Sequence, residues 1–305
     1  MKIGFVGLGK MGAAMTERLL LRGHAVVAYD VNPAAAAAVG LKGAETAATL
    51  KELSAKLETP RAVWVMVPAG EPTEETIWSL AGLLSGGDTI VDGGNSHYTD
   101  SVRRARALRD HGLSFVDCGT SGGVWGLREG YCLMIGGEKE PVERLGPVFE
   151  ALAPPGGFAH LGPSGAGHFV KMVHNGIEYG LLQAYAEGFE LLAAKKEYGL
   201  DKAAIAGLWG RGSVVRSWLL ELAEEALKKS PDLAGIEGYI VDSGEGRWTV
   251  FEAIEREVPV PALSLALFAR FRSRQEDSFA ARFIAALRNE FGGHAVRKKE
   301  EEPHG

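Results

Sequence analysis

An α/β fold in two parts is predicted, a doubly wound and largely parallel sheet followed by an all-helical C-terminal domain. Three observations carry that expectation. From residue 1 to about 160, short β-rich runs alternate with amphipathic helical patterns, the signature of a parallel sheet covered on both faces. After Gly162 the strand patterns stop, and apolar residues recur at helical spacing for the rest of the chain. The 305 residues, 46% of them hydrophobic, can fill one large core or two smaller ones, and the change of pattern favours two.

Taken in order, strands are expected at 3–6, 25–29, 62–67, 89–92, 114–117, 132–135 and 158–161. Helices are expected between them at 11–22, 74–84, 101–111 and 142–152, and Asn32-Pro33 reads as a further helix start. The second part reads as a long helix over 165–198, then helices at 202–209, 214–229, 248–257, 263–272 and 278–291. Pro231, Pro259 and Pro261 punctuate these runs, since proline ends or starts helices. The domain limits follow as 1–163 and 164–296, with a charged tail at 297–305 expected to be disordered. No internal repeat is visible.

Composition excludes several function classes. Lys and Arg total 33 against 39 Asp and Glu, a net charge of −6, so nucleic acid is not an expected partner. An anionic small substrate would need a locally basic pocket. The two cysteines, Cys118 and Cys132, have neither metal-ligand spacing nor a disulfide framework, which suits a reducing compartment. The N-terminus reads as a strand rather than a leader, and no apolar run is long enough to span a bilayer. A cytoplasmic protein with no membrane partner is the expectation.

The first strand runs into Gly7-Leu8-Gly9-Lys10-Met11-Gly12, which opens the first helix. This is the dinucleotide fingerprint of a Rossmann-type domain in its strand–turn–helix setting. Gly7 makes the tight turn, Gly9 lets backbone approach a pyrophosphate, and Gly12 lets helix and strand pack closely. The second strand ends in Tyr29-Asp30. Asp30 can accept hydrogen bonds from the adenine ribose hydroxyls and repel a 2′-phosphate, and no Arg follows to neutralise one, so NAD is expected over NADP. Alternatively, Asp30 only caps the turn into Asn32-Pro33. Met66-Val67-Pro68-Ala69-Gly70 and Gly93-Gly94-Asn95-Ser96 follow the next two strands and should line the crevice beyond their carboxyl ends.

The long helix begins after the Gly-rich run 162–167 and carries Lys171, His174, Asn175 and Glu178 within one arc, with Tyr179 at its edge. A solvated helix face with an ordinary Lys–Glu pair is the bland alternative. Gly119-Thr120-Ser121-Gly122-Gly123 can present backbone N–H groups and a hydroxyl to a carboxylate, or can be a plain turn.

With these motifs placed, the sequence resembles the 6-phosphogluconate dehydrogenases of the β-hydroxyacid dehydrogenase group. The matching runs are 91–98 (Val-Asp-Gly-Gly-Asn-Ser-His-Tyr), Ser121-Gly122-Gly123, and 165–179 with Lys171, His174, Asn175, Glu178 and Tyr179. Gly246-Arg247-Trp248-Thr249, Phe268-Ala269-Arg270 and Phe291-Gly292-Gly293-His294 extend the match almost to the end. The length fits a short form with one copy of the helical unit. The resemblance implies oxidative decarboxylation of 6-phosphogluconate to ribulose 5-phosphate, a reaction of the pentose phosphate pathway, without a metal. It implies Lys171 as the base and Glu178 as the acid. Such a base must start neutral and such an acid protonated, so burial should lower the pKa of Lys171 and raise that of Glu178. His174 and Asn175, with Asn95 and Ser121–Gly123, correspond to positions that hold the substrate's carboxylate and hydroxyls. Tyr179 and Arg270 correspond to phosphate-binding positions, and an Arg fork suits a phosphate dianion. Arg288 and His294 match a pair that, in the longer enzymes, reaches the site from the partner subunit. A homodimer or homotetramer with shared sites is therefore implied.

Departures from the family pattern are specific. Ser243 and Glu245 stand where the long form has a phosphate-contacting Lys and Thr, and Pro68 stands where a Lys is often found. Glu245 beside a phosphate would be repulsive unless it points away or pairs with Arg247, so the phosphate clamp must be rearranged, with Arg247 as a candidate member. Two other readings remain. A 3-hydroxyisobutyrate-type dehydrogenase shares the Gly-rich turn, the Ser-Gly-Gly loop and the Lys but has no need of an acid at Glu178. A non-catalytic dinucleotide sensor would have lost Lys171 or Glu178.

Overall fold

A computed structural model describes residues 1–297 of the chain. The tail expected at 297–305 lies, apart from Arg297, outside the described residues.

The chain alternates strand and helix through β1 (Lys2–Val6), α1 (Lys10–Leu21), β2 (Ala25–Tyr29), α2 (Pro33–Gly40), β3 (Glu45–Thr46), α3 (Leu50–Ala55), β4 (Ala62–Val65) and α4 (Glu71–Ala81). It continues through β5 (Thr89–Asp92), α5 (Tyr98–Arg109), β6 (Ser114–Ser121), α6 (Gly126–Glu129), β7 (Cys132–Gly137), α7 (Lys139–Arg144), α8 (Gly146–Leu152) and β8 (Phe158–Gly162). Helices follow: α9 (Ala166–Ala194), α10 (Lys202–Trp209), α11 (Trp218–Lys229), α12 (Glu245–Glu255), α13 (Pro261–Ser273) and α14 (Phe279–Gly292). The expected α/β class with an all-helical second part is what the structure has.

One sheet holds all the strands in the order β3-β2-β1-β4-β5-β6-β7-β8. Every pairing is parallel except β6 with β7. Order reverses between β1 and β4, which opens a crevice at the strands' carboxyl ends. The central strands are largely apolar because both faces are covered. Alternate residues feed two buried layers: Ile3, Phe5, Trp64 and Phe149 pack on one side, and Val27, Val63, Val65, Ile77 and Ile90 on the other.

Several boundaries differ from the sequence reading for local reasons. β3 is a two-residue exposed edge, too short and polar to show as a run. β4 ends at Val65, and Met66 gives one last N–H to the Val6 carbonyl (2.7 Å) before the chain turns into the crevice. β6 runs on to Ser121 because β7 pairs with it antiparallel. The helix expected at 142–152 divides at Leu145, where Pro147 in the first turn of α8 starts a new helix. α12 begins at Glu245, three residues early, after Gly244 in a left-handed conformation (φ +105°).

Two compact units result: Met1–Glu178 with Gly244–Pro259, and Tyr179–Ser243 with the chain from Val260. The division falls within α9 rather than at its start, and α12 joins the sheet unit. Thr249 Oγ1 of α12 shares its hydrogen between the Met172 and Glu245 carbonyls (2.8 Å each), and Tyr98 O–H donates to Glu252 (2.6 Å). No described helix is long and apolar enough to cross a membrane.

Asp117, fully buried on β6, caps the start of the long helix. Its Oδ1 accepts from Gly165 N (2.6 Å) and its Oδ2 from His168 N (2.9 Å). Asp117→Ala strands those two amides and removes a charged acceptor. It should cost about 2–3 kcal/mol of unfolding free energy in urea denaturation, and a change within experimental error would refute the capping role.

Candidate active site

The crevice at the reversal point has a volume of about 190 Å³. Of the residues expected there, Gly9, Lys10, Met11, Gly12, Met66, Val67, Pro68, Ala69, Gly94 and Asn95 line it, joined by Thr120. The three glycines of the first turn divide their roles clearly. A Cβ on Gly7 would lie 2.3 Å from the Met66 carbonyl oxygen and one on Gly12 2.0 Å from that of Gly7, whereas one on Gly9 would meet nothing within 4 Å. Gly9 thus leaves open space at the mouth of α1, whose first turn has no side-chain cap. The outward amides of that turn form a cradle for a dinucleotide's pyrophosphate.

Leu8 is buried, and its N–H donates to Asp30 Oδ2 (2.5 Å). Asp30 Oδ1 accepts from Asn32 N (2.8 Å), and Asn32 in turn caps α2 through Ala34 N (3.1 Å). Asp30 therefore does cap the turn, as one reading of the sequence had it, and also clamps the Gly-rich turn to β2. Each carboxylate oxygen keeps acceptor capacity for a ribose hydroxyl.

The second wall depends on Asp92, whose carboxylate accepts from Gly94 N (3.2 Å), Ser96 O–H (2.7 Å) and Arg104 (3.1 Å). That buried network fixes the loop 93–96 and leaves Asn95 exposed toward the crevice. Beyond Thr120 of the crevice wall, Ser121 ends β6, and Gly122 and Gly123, which with Ser121 do not line the crevice, adopt φ values of +136° and +53°. These favour glycine and expose the loop's backbone.

Lys171 is buried, with 7% of its surface exposed. Its stem crosses Gly119, where a Cβ would come within 2.3 Å of the Lys171 Cβ, so only glycine fits beneath it. Gly119 adjoins Thr120 of the crevice wall, which ties Lys171 to the cofactor side. Burial pushes the Lys171 pKa down, and the charges of Glu178, Glu245 and Cys132 only partly oppose it. Glu178, His174 and Asn175 are half-buried on the same helix, with His174 Nδ1 3.0 Å from Asn175 Oδ1.

In the second unit, Tyr179 is buried, and its hydroxyl has no hydrogen-bond partner among the described residues. The Arg270 guanidinium lies 3.4 Å from the Tyr179 ring centroid and donates to the Val241 carbonyl (3.3 Å). Arg288 and His294 meet at the C-terminal end of α14. There His294 N donates to the Arg288 carbonyl (3.4 Å), and both side chains are exposed. Ser243 and Arg247 are exposed, but Glu245 is buried beside Lys171 rather than turned outward. Asp92 lies in the 91–98 run, Thr120 in the 119–123 loop and Glu245 at a noted departure, but sequence alone marks none of these as fixing the site; Asp117 carries no motif, and its place at the end of an apolar strand is the available signal.

Residues 2–162 match the family described as the NAD binding domain of 6-phosphogluconate dehydrogenase, and 167–282 match its C-terminal domain. The chain belongs to the 6-phosphogluconate dehydrogenase family. An NAD(+)-dependent, decarboxylating 6-phosphogluconate dehydrogenase of Haloferax volcanii is 46% identical over 303 residues, 99% of this chain and 100% of that protein. A solved Plasmodium falciparum 6-phosphogluconate dehydrogenase superposes with a TM-score of 0.82 at 28% identity, covering 99% of this chain and 67% of that one. The Mycobacterium tuberculosis 3-hydroxyisobutyrate dehydrogenase shares the fold at a TM-score of 0.72 and 24% identity, over 94% of this chain and 99% of that one.

The burial of Lys171 has a direct readout. Its amine should titrate below the ordinary lysine value of 10.5, the direction burial dictates, when followed by NMR of the side-chain nitrogen. A midpoint at or above 10.5 would show the charges outweighing burial.

Proposed function

We propose that the protein oxidises and decarboxylates 6-phosphogluconate to ribulose 5-phosphate and carbon dioxide, reducing NAD. The observation that carries this reading is Lys171, buried over Gly119 beside the crevice wall, with Glu178 two helical turns along the same rod. Bound NAD supplies the hydride acceptor. Lys171, neutral at the outset, takes the proton of the carbon-3 hydroxyl as that carbon is oxidised. The β-keto acid so formed loses carbon dioxide, because the adjacent ketone can hold the electron pair as an enolate. The Lys171 ammonium then donates to the enolate oxygen, where a fixed cation in a water-poor site is most effective. Glu178 protonates carbon 1 of the enediol, which completes ribulose 5-phosphate.

Asn95, Ser121, Gly122, Gly123, His174 and Asn175 would hold the carboxylate and hydroxyls. Tyr179 and Arg270 would hold the phosphate, for which a buried, unpartnered phenol next to a guanidinium is suited. That pair, together with Glu178, favours the phosphorylated sugar acid over a 3-hydroxyisobutyrate-type substrate, which needs neither. Phe279, Phe283 and Leu287 recur at four-residue spacing on α14 and are exposed, a stripe suited to burial against a second copy. A homodimer or homotetramer, with Arg288 and His294 completing the neighbour's site, fits that stripe. The cytoplasm is the proposed location.

Incubation with 6-phosphogluconate and NAD should yield reduced cofactor and carbon dioxide in equal amounts. Reduced cofactor without carbon dioxide would instead indicate simple hydroxyacid oxidation. Lys171→Met should lower kcat by about 10³-fold or more while NAD still binds, and substantial remaining turnover would remove Lys171 as the base. Asp30→Ala should raise the ratio of kcat/KM for NADP over NAD by about tenfold or more, from loss of a carboxylate worth over 1 kcal/mol of discrimination. An unchanged ratio would move the cofactor selectivity elsewhere.

A further inference from the structure

Glu245 has no part in the mechanism above, yet it is one of the few buried carboxylates in the protein, with 3% of its surface exposed. It occupies the first position of α12, immediately after left-handed Gly244. The same turn is latched to α9 at the residue after Lys171, through the Thr249 hydroxyl shared between the Glu245 and Met172 carbonyls. Arg247, two residues on, is exposed, because residues two apart on a helix point to opposite sides. The α12 turn is thus fixed against α9 next to Lys171 in sequence, with Glu245 buried and its charge acting on the Lys171 amine.

We propose that Glu245 is a positioning residue for Lys171: from α12 it supplies a standing counter-charge that holds the ammonium created when Lys171 takes up the substrate proton. The inference rests on the reaction proposed above. Its chemical basis is a division of labour between two carboxyl groups. Glu178 must carry a proton to act as the acid, and a protonated carboxyl offers no counter-charge to an ammonium. A second carboxylate that never has to donate can do so throughout the cycle. Glu245 also cannot hold a phosphate, so the phosphate clamp falls to the Tyr179–Arg270 pair.

The other groups facing Lys171 are differently placed. From β7, Cys132 acts in the same direction as Glu178 and Glu245 but more weakly than either. From β6, the Asp117 carboxylate is committed to the Gly165 and His168 amides. His168, one turn earlier on α9, is buried with Nδ1 2.7 Å from Ser101 Oγ. Glu245 and Glu178 both favour the charged form of Lys171 against the opposing effect of burial.

The test is Glu245→Gln, which keeps shape and removes charge, with Glu245→Asp as the charge-retaining partner. Two readouts are taken: the acid limb of the kcat/KM–pH profile with 6-phosphogluconate and NAD, and the NMR titration of Lys171 in the substrate-free protein. With Gln, both should move to lower pH by about half a unit to one unit, because an amine that loses a nearby negative charge gives up its proton more readily. Asp should shift both in the same direction by less. A uniform loss of activity with neither midpoint moved would mark Glu245 as merely structural, and an upward shift would overturn the proposal. Should the Gln variant fail to fold, an unshifted Lys171 midpoint in the Asp variant overturns it instead. The titration needs no substrate, so it decides the role of Glu245 even if 6-phosphogluconate is not turned over.

Discussion

The site depends on one buried carboxylate. Asp117 sits on β6, accepts the Gly165 and His168 amides, and so docks the first turn of α9 against the sheet. Two glycines permit that approach. A Cβ on Gly167 would lie 2.4 Å from the Met134 carbonyl oxygen, and one on Gly119 would strike the Lys171 stem. Hydrogen bonds to a charged acceptor contribute about 1.5–3 kcal/mol each, and an unmatched buried carboxylate would cost more than that. The β6–α9 junction is therefore either fully formed or strongly penalised. Because Lys171 lies in the second turn of α9, the same junction that stabilises the fold fixes where the amine points.

Around that amine, opposing electrostatic effects are set against one another. Removal from water favours the neutral form, and the nearby carboxylates favour the charged one. Burial wins, so the direction of the shift suits a group that begins as a base. The nearby carboxylates oppose that shift without reversing it. A surface Lys–Glu pair would lack the first effect and be screened in the second. The balance thus comes from packing by β6, β7 and α12 as much as from the helix that carries the lysine.

The sheet was legible because buried parallel strands write themselves as apolar runs and the Gly7–Gly12 turn has a fixed spacing. The helix face from Lys171 to Glu178 was legible for a similar reason: helical periodicity alone gathers it. What stayed hidden is tertiary. In sequence, Asp30 offers a choice between capping and ribose recognition; in the structure it clamps two backbone amides while keeping room to accept more. Glu245 read as a liability next to a phosphate, since nothing in its neighbours in sequence says that α12 packs on α9. The same contact, through Thr249 and Met172, draws α12 into the sheet unit and shifts the division of the chain into α9.

The roles proposed above divide along the same line. Lys171, Glu178, Glu245, the cofactor crevice and the Ser121–Gly123 loop all belong to the sheet unit, whereas Tyr179, Arg270, Arg288 and His294 belong to the other. The proton transfer proposed for Lys171 demands close placement, and the buried bonds from Asp117 to the start of α9 meet that demand. Recognition of a distant anionic group tolerates more variation, because charge acts over longer range than a proton transfer. The proposed substrate class accordingly rests on the phosphate role proposed for Tyr179 and Arg270 rather than on the Gly-rich turn, which any dinucleotide-dependent relative would share.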